Sequence, residues 1–250
     1  MTETRRPRPP ALSISASLRL PFIESWLTQI QPKSVVEVGA GMGAMGYRFA
    51  SRFDYRGYEP DRTSYEVVSS RLTALGRGEV RNTKIPLESD RHFDLLVAFE
   101  VLEHIEDDVA ALTSWARWLA PSGHVLMSMP SNPDRYGAWD EKVGHYRRYS
   151  RESLSAVLAA AGFEVRGVES WGMPLGYVLE TARHLIARRR LGETEVGTSG
   201  SGRLYQPPSN LGRSVELAMR PVAAVQRPFR DTDWGIGFVA VGRLNQQNTI

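Results

Sequence analysis

Residues 35–44, V-V-E-V-G-A-G-M-G-A, constrain this chain more than any other stretch, because a buried apolar run passes directly into a glycine-dense turn. Glycines at 39, 41 and 43 have no Cβ to hold a ligand away from the main chain, and they accept backbone angles closed to other residues. A helix is expected over residues 44–53. Strand, glycine loop and helix in that order form the ligand-binding turn of a doubly wound α/β sheet. Gly41, Gly43 and Gly46 also satisfy the dinucleotide spacing G-x-G-x-x-G, and Glu59 follows at about the 20-residue distance of a ribose ligand. A nicotinamide-dependent oxidoreductase is therefore one reading. Glu37 weighs against it, since a carboxylate at the loop mouth repels a pyrophosphate but accepts hydrogen bonds from an ammonium group.

The remaining elements follow from hydrophobic period and punctuation. Leu20, Ile23, Trp26, Leu27 and Ile30 share one side of a helix predicted over residues 18–30, which would lie over the ligand. Strands are expected at Ser34–Val38 and over residues 55–58, 79–83, 94–99, 124–129, 163–169 and 236–241. The run at 94–99 is almost unbroken in its apolar character, as a strand covered on both faces requires. Tyr65, Val68, Leu72 and Leu75 mark one helix, and Val109, Leu112, Trp115 and Leu119 another. Pro121-Ser122-Gly123 reads as a turn into the fifth strand. Ser150 is a helix N-cap and Gly162 the stop.

Three segments taken in order carry a family resemblance: Glu37-x-Gly39-x-Gly41-x-Gly43, then Gly57-Tyr58-Glu59-Pro60-Asp61, then Phe93-Asp94-Leu95-Leu96-Val97-Ala98-Phe99-Glu100. Over residues 35–168 the chain resembles the class I S-adenosylmethionine-dependent methyltransferases. The resemblance implies a Rossmann-like seven-stranded sheet whose last strand is antiparallel, with S-adenosylmethionine as cofactor. Glu37 would take its ammonium group, Gly39, Gly41 and Gly43 would admit it to the backbone, and Glu59 would accept both ribose hydroxyls. In the family an acidic residue after the third strand usually holds the adenine amino group. Arg81-Asn82-Thr83 stands there instead, so Asn82 is the candidate, through its amide oxygen.

Glu100-Val101-Leu102-Glu103-His104-Ile105 closes the fourth strand, at the edge where open α/β sheets bind ligands. On a helical turn Glu100, Glu103 and His104 share a face, and two carboxylates with an imidazole can bind a divalent cation. The segment resembles that of the ubiquinone-biosynthesis O-methyltransferases, some of which use magnesium, so Mg2+ is the expected ion. In the competing reading Glu100 shapes the cofactor pocket while Glu103 and His104 cap the next helix. Gly144-His145-Tyr146-Arg147-Arg148-Tyr149-Ser150 follows the fifth strand on the same edge. His145 is the candidate base for a hydroxyl acceptor, with His104 second, unless His145 only orders the loop. Arg147 or Arg148 is a candidate anchor for an acidic acceptor group, and Tyr136 and Trp139 wall the pocket or cover core.

The expected reaction is methyl transfer to a hydroxyl of a small-molecule, sugar or lipid-linked acceptor. Nitrogen or carbon methylation, and a cofactor-binding subunit without turnover, are the alternatives. Four regions are expected: a disordered tail over 1–12, a methyltransferase core over 13–170, a basic helical insertion over 171–233, and the last strand with a C-terminal tail over 234–250. The insertion holds nine arginines against four glutamates between residues 171 and 230, compatible with an anionic acceptor or peripheral membrane contact. Thr194 to Gly202 reads as a flexible linker and a second helix is expected from Asn210. Nucleic acid is not expected, because the basic residues are not interleaved with aromatics. No run of about 18 uncharged apolar residues suggests a membrane span. The basic N-terminus lacks the apolar stretch of a signal peptide. Zero cysteines exclude disulfides and thiolate metal sites, which fits a cytoplasmic protein. Oligomeric state is not legible.

Overall fold

The structure, a computed structural model, describes residues 9–86, 90–189, 221 and 224–245. A seven-stranded sheet runs in the order β3-β2-β1-β4-β5-β7-β6. Strands β1 (Ser34–Val38), β2 (Asp54–Tyr58), β3 (Glu79–Arg81), β4 (Phe93–Phe99) and β5 (Leu119–Pro130) are parallel, and β7 (Gly237–Leu244) runs antiparallel between β5 and β6 (Phe163–Trp171). Chain order reverses between β1 and β4, which opens a crevice at their C-terminal ends.

Helices cover both faces. On one side α1 (Ile14–Ile30), α2 (Ala44–Ala50) and α3 (Arg62–Leu75) bury Ile23, Phe49 and Leu72 with Val35, Leu95 and Leu126 of the sheet. On the other, α4 (Asp108–Ala116) and α6 (Arg151–Ala160) bury Leu112, Leu154 and Leu158 with Val36, Leu96 and Val125. Neighbouring positions such as Val35 and Val36 thus serve opposite cores, which is why the strands read as unbroken apolar runs. Two further helices, α5 (Ala138–Val143) and α7 (Leu175–Arg189), flank the crevice. Ser150 caps its helix as the sequence suggested, accepting from the Ser153 amide at 3.1 Å, and Asp61 caps α3 by accepting from the Ser64 amide at 2.9 Å.

The expected tail is wrong for its last residues. Pro10, Ala11 and Leu12 are buried, Leu12 to 1% exposure, and Arg48 Nη1 donates to the Pro10 carbonyl at 2.8 Å. Helix α1 accordingly starts early, at Ile14, capped by Ser13. Residues 121–123 do not separate a helix from a strand either. Strand β5 already begins at Leu119, and its pairing with β4 jumps from Phe93–Leu119 to Leu95–His124, so the turn residues become an irregularity inside a continuous strand. Ser122 takes the positive φ of 61° that this requires. Strand β6 runs on to Trp171, so the insertion opens with α7 rather than at residue 171. The linker expected there and the start of the second helix at Asn210 lie outside the described residues, and residues 221, 224 and 225 are helical. Among the described residues no helix is long and apolar enough to cross a membrane.

Candidate active site

One cavity of about 960 Å³ follows the C-terminal edge of β1, β2, β4 and β5. Its floor at one end is the glycine loop. Gly39, Gly41 and Gly43 have φ of 73°, 53° and 78°, all in the left-handed region, and the amides of Gly39 and Ala40 both donate to the Tyr58 carbonyl of β2. The glycines serve different ends. A Cβ on Gly41 would meet no atom within 4 Å, whereas one on Gly43 would lie 2.4 Å from Val68 Cγ2 of α3. Gly46, third of the dinucleotide spacing, lets α2 press onto β2: its Cβ would sit 2.4 Å from the Tyr55 hydroxyl.

Glu37 lines the cavity beneath this loop, almost wholly buried, and Tyr55 donates its hydroxyl to Oε2 at 2.5 Å. Burial raises its pKa to about 8, against the opposing pull of Tyr55 and of the Arg19 charge, so the carboxyl stays neutral at pH 7. Glu59 directly follows β2, where its Oε2 accepts from the Gly41 amide at 2.7 Å and its Oε1 from the Asp61 amide at 2.8 Å. Those two bonds hold the carboxylate at the cavity wall.

Asn82 is not among the described residues that line the cavity. Its amide nitrogen donates to the carbonyls of Glu59 and Pro60 at 2.9 and 3.1 Å, so it braces the turn carrying Glu59. Strand β3 ends at Arg81. Lys84 and Ile85 form the wall beyond it.

The metal triad expected from Glu100, Glu103 and His104 does not form. A 3-10 turn over Leu102–His104 follows β4, and Glu100, at a positive φ of 56°, turns the other way. There it accepts the Ser128 hydroxyl at 2.8 Å and pairs with Arg19 of α1 at 2.9 Å. His145 takes its place: one ligand atom each from Glu103, His104 and His145 lie within 4.8 Å of one another. Glu103 is fully buried, and neither carboxylate oxygen has a hydrogen-bond partner among the described residues. Burial, and then the neighbouring Glu100, push its carboxyl well above the usual range. Burial and the His145 ring lower His104 to about 4, leaving it a neutral imidazole with Nδ1 directed at the Gly144 carbonyl, 3.2 Å away.

His145 Nδ1 lies 2.7 Å from Asp140 Oδ1, and Nε2 points into the cluster, 3.9 Å from Glu103 Oε1. Asp140 is buried on α5 and gripped by Arg148, whose Nε and Nη2 reach its two oxygens at 2.9 Å each. Against burial, which alone would raise it, the bonds from His145 and Arg148 hold this carboxyl at about 2. Arg148 also donates to Glu180 of α7 at 2.7 Å, and Arg147 to Asp108 at 2.9 Å. With these partners neither arginine stands as an open anchor for an acidic substrate. Trp139 lines the cavity, while the half-exposed Tyr136 donates its hydroxyl to the His145 carbonyl. Sequence reasoning missed Asp140, Arg19 and Glu180. Only Asp140 left a trace, five residues before His145; the other two reach the site from distant helices.

A family model described as a methyltransferase domain matches residues 15–168, more than half of the chain. The chain belongs to this methyltransferase family. The match includes the glycine loop, Glu59 and the His145 segment, and it replaces the nicotinamide reading, which shared only the glycine spacing and the acidic residue. Over 127 residues the chain is 30% identical to the ubiquinone biosynthesis O-methyltransferase of Alkalilimnicola ehrlichii, covering 48% of this chain and 51% of that protein. Over 149 residues it is 30% identical to the phosphoethanolamine N-methyltransferase of Triticum aestivum, covering 55% of this chain and 29% of that protein. The chain therefore spans about half the length of the first and under a third of the second. Among solved structures, an S-adenosylmethionine-dependent methyltransferase from Mesorhizobium loti superposes with a TM-score of 0.58 at 13% identity, over 92% of this chain and 99% of that one. The YcgJ protein of Bacillus subtilis gives 0.56 at 17% identity, with the same coverage. Such identities speak to fold, and the fold is the class I methyltransferase sheet with its last strand antiparallel.

Proposed function

We propose that this methyltransferase moves the methyl group of S-adenosylmethionine to a hydroxyl of a small-molecule, sugar or lipid-linked acceptor, with His145 as base. The donor would rest on the glycine loop, its ammonium at Glu37 and its ribose hydroxyls at Glu59. The observation that carries the acceptor reading is the Asp140–His145 pair, 2.7 Å apart and buried at the cavity wall. Asp140 holds Nδ1 and so leaves Nε2 to accept a proton. Displacement at a sulfonium methyl mainly demands alignment of two reactants and exclusion of water, but a hydroxyl attacks well only as its proton departs. An amine acceptor, as the name of the wheat relative implies for that protein, would need a base only to take the proton of its ammonium form before attack, whereas a hydroxyl needs one as it attacks. Exposed Val178, Leu185 and Ile186 on α7 support the lipid-linked end of the acceptor range.

The test uses isotopically labelled S-adenosylmethionine with an extract of the source organism as acceptor pool. His145→Ala should cut label transfer by about 10²- to 10⁴-fold while affinity for S-adenosylhomocysteine stays unchanged. Wild-type transfer by that variant would remove the base and favour nitrogen or carbon methylation.

A second reading rests on the unpartnered oxygens of Glu103. Two imidazoles and one carboxylate fit a divalent transition ion better than magnesium, which prefers an all-oxygen shell. Glu103, His104 and His145 would hold such an ion, whose Lewis acidity would favour the alkoxide form of the acceptor. Under this reading chelator abolishes transfer and leaves cofactor affinity intact. Full activity in excess chelator would return Glu103 to the role of a neutral buried acid.

A further inference from the structure

Helix α7 is amphipathic with its sides exchanged. Gly176, Glu180 and His184, spaced i, i+4 and i+8, form the stripe turned into the protein. Gly176 and Glu180 are buried, Glu180 meets Arg148 at 2.7 Å, and His184 Nε2 lies 2.9 Å from Arg148 Nη2. Val178, Ala182, Leu185 and Ile186, spaced i, i+4, i+7 and i+8, form the stripe turned away from it. All four are exposed, Val178 to 64%, Leu185 to 51% and Ile186 to 55%. A helix on a globular surface ordinarily lays its apolar stripe on the core and its polar one in water.

Single apolar side chains on a surface need no explanation, but these are grouped. Nine large apolar or aromatic side chains are exposed among the described residues, and six of them fall between residues 177 and 234: Tyr177, Val178, Leu185, Ile186, Val225 and Trp234. The charge of this region has one sign. Residues 183–190, R-H-L-I-A-R-R-R, hold four arginines and no acidic residue, within a stretch from 171 to 230 where nine arginines face four glutamates. An apolar stripe beside a run of arginines fits a surface that is apolar within and anionic at its boundary. A bilayer containing anionic phospholipid is such a surface, because its acyl region takes the stripe and its phosphates attract the guanidinium groups. A second copy of this chain would cover the stripe but would bring the same positive excess to the contact.

We infer that α7 is an interfacial helix that docks the protein on an anionic lipid surface. Val178, Leu185 and Ile186 enter the headgroup layer, and the positive charge of residues 183–190 is drawn to the phosphates. Glu180, on the opposite side of the same helix, lines the cavity. The cavity wall beside Arg148 is therefore also the membrane-facing element, which favours an amphiphilic acceptor. That last step rests on the proposed function; the docking does not.

The experiment is co-sedimentation of the full chain with vesicles of phosphatidylcholine alone and of phosphatidylcholine mixed with phosphatidylglycerol. The mixed vesicles should bind about 10-fold more tightly or better, and added salt should erode the difference. Leu185→Ser and Ile186→Ser should each weaken binding to mixed vesicles by about 10-fold, as for one large apolar side chain left in water. Both positions are exposed, so affinity for S-adenosylhomocysteine should not change, and that titration shows the variants to be folded. Replacing Arg188, Arg189 and Arg190 together by Gln should remove the preference for phosphatidylglycerol. Wild-type protein that binds neither vesicle, or serine variants that bind as wild type does, would overturn the docking. A dimer in solution that the serine variants dissociate would overturn it too, since the stripe would then be a contact between copies. Label found only in water-soluble products of the extract, while mixed vesicles bind the protein, would support the docking and overturn the lipid-linked end of the acceptor range.

Discussion

Burial keeps the Glu37 carboxyl protonated at pH 7, its pKa raised to about 8 from an ordinary 4.5, and under the proposed reading the cofactor's ammonium would displace that proton. Cofactor binding at pH 7 should therefore expel close to one proton. Calorimetry in buffers of differing ionisation enthalpy reads this directly, and Glu37→Gln should abolish the buffer dependence; a wild-type enthalpy independent of buffer would remove Glu37 from the ammonium site. The same shift has a stability consequence. Because the folded pKa lies above the unfolded one, the contribution is complete below pH 4.5 and lost as pH rises through 8, so Glu37→Gln should flatten thermal stability across that window. His104 acts in the opposite sense. Its folded pKa of about 4 lies below the ordinary 6.5, and its contribution is lost as pH falls through that range. The presence of Glu37 and Glu59 was legible from spacing. Their protonation and bracing were not, because both depend on Tyr55 and on backbone amides brought in by folding.

At the scale of the element, the glycine loop separates two functions that look identical in sequence. Gly41→Ala meets open space and carries only the left-handed strain, about 1 kcal/mol, so the fold should survive while the methyl group intrudes on the ligand. Gly43→Ala adds a clash with Val68 and should destabilise the packing of α2 on α3, lowering the melting temperature well below that of Gly41→Ala. Melting curves paired with S-adenosylhomocysteine titrations distinguish them. If Gly41→Ala binds as wild type does, the loop does not approach the ligand closely at that residue. The segment after β4 teaches a related lesson. A helical turn would have grouped Glu100 with Glu103, but Ser128 and Arg19 capture Glu100 and the chain enters a 3-10 turn instead.

Across the whole molecule, α7 is tied to His145, the proposed base, through a buried chain of charges. Glu180 of α7 meets Arg148, Arg148 grips Asp140, and Asp140 orients His145. Glu180→Ala should cost about 1–3 kcal/mol of stability, since Arg148 would stay buried with one partner fewer. Label transfer should fall further than cofactor affinity, because the loosened Asp140 holds His145 less firmly. Denaturant unfolding and calorimetry on the same variant check both parts. Unchanged transfer would mean that α7 packs against the base without positioning it.

Local patterns determined most of the architecture. Apolar runs, the glycine loop and the cap at Ser150 predicted the order of the strands and of the helices other than α5, because period and backbone freedom are properties of neighbours along the chain. The same locality made Glu37, Glu59 and His145 visible as candidates. Tertiary structure alone decided the partners: His145 with Glu103 and His104, Glu100 with Arg19, Arg148 with Glu180, and Asn82 with the turn that it braces. Burial and charge pairing act through space between elements far apart in sequence, and no spacing rule along the chain encodes which of several acidic residues will face a given cation.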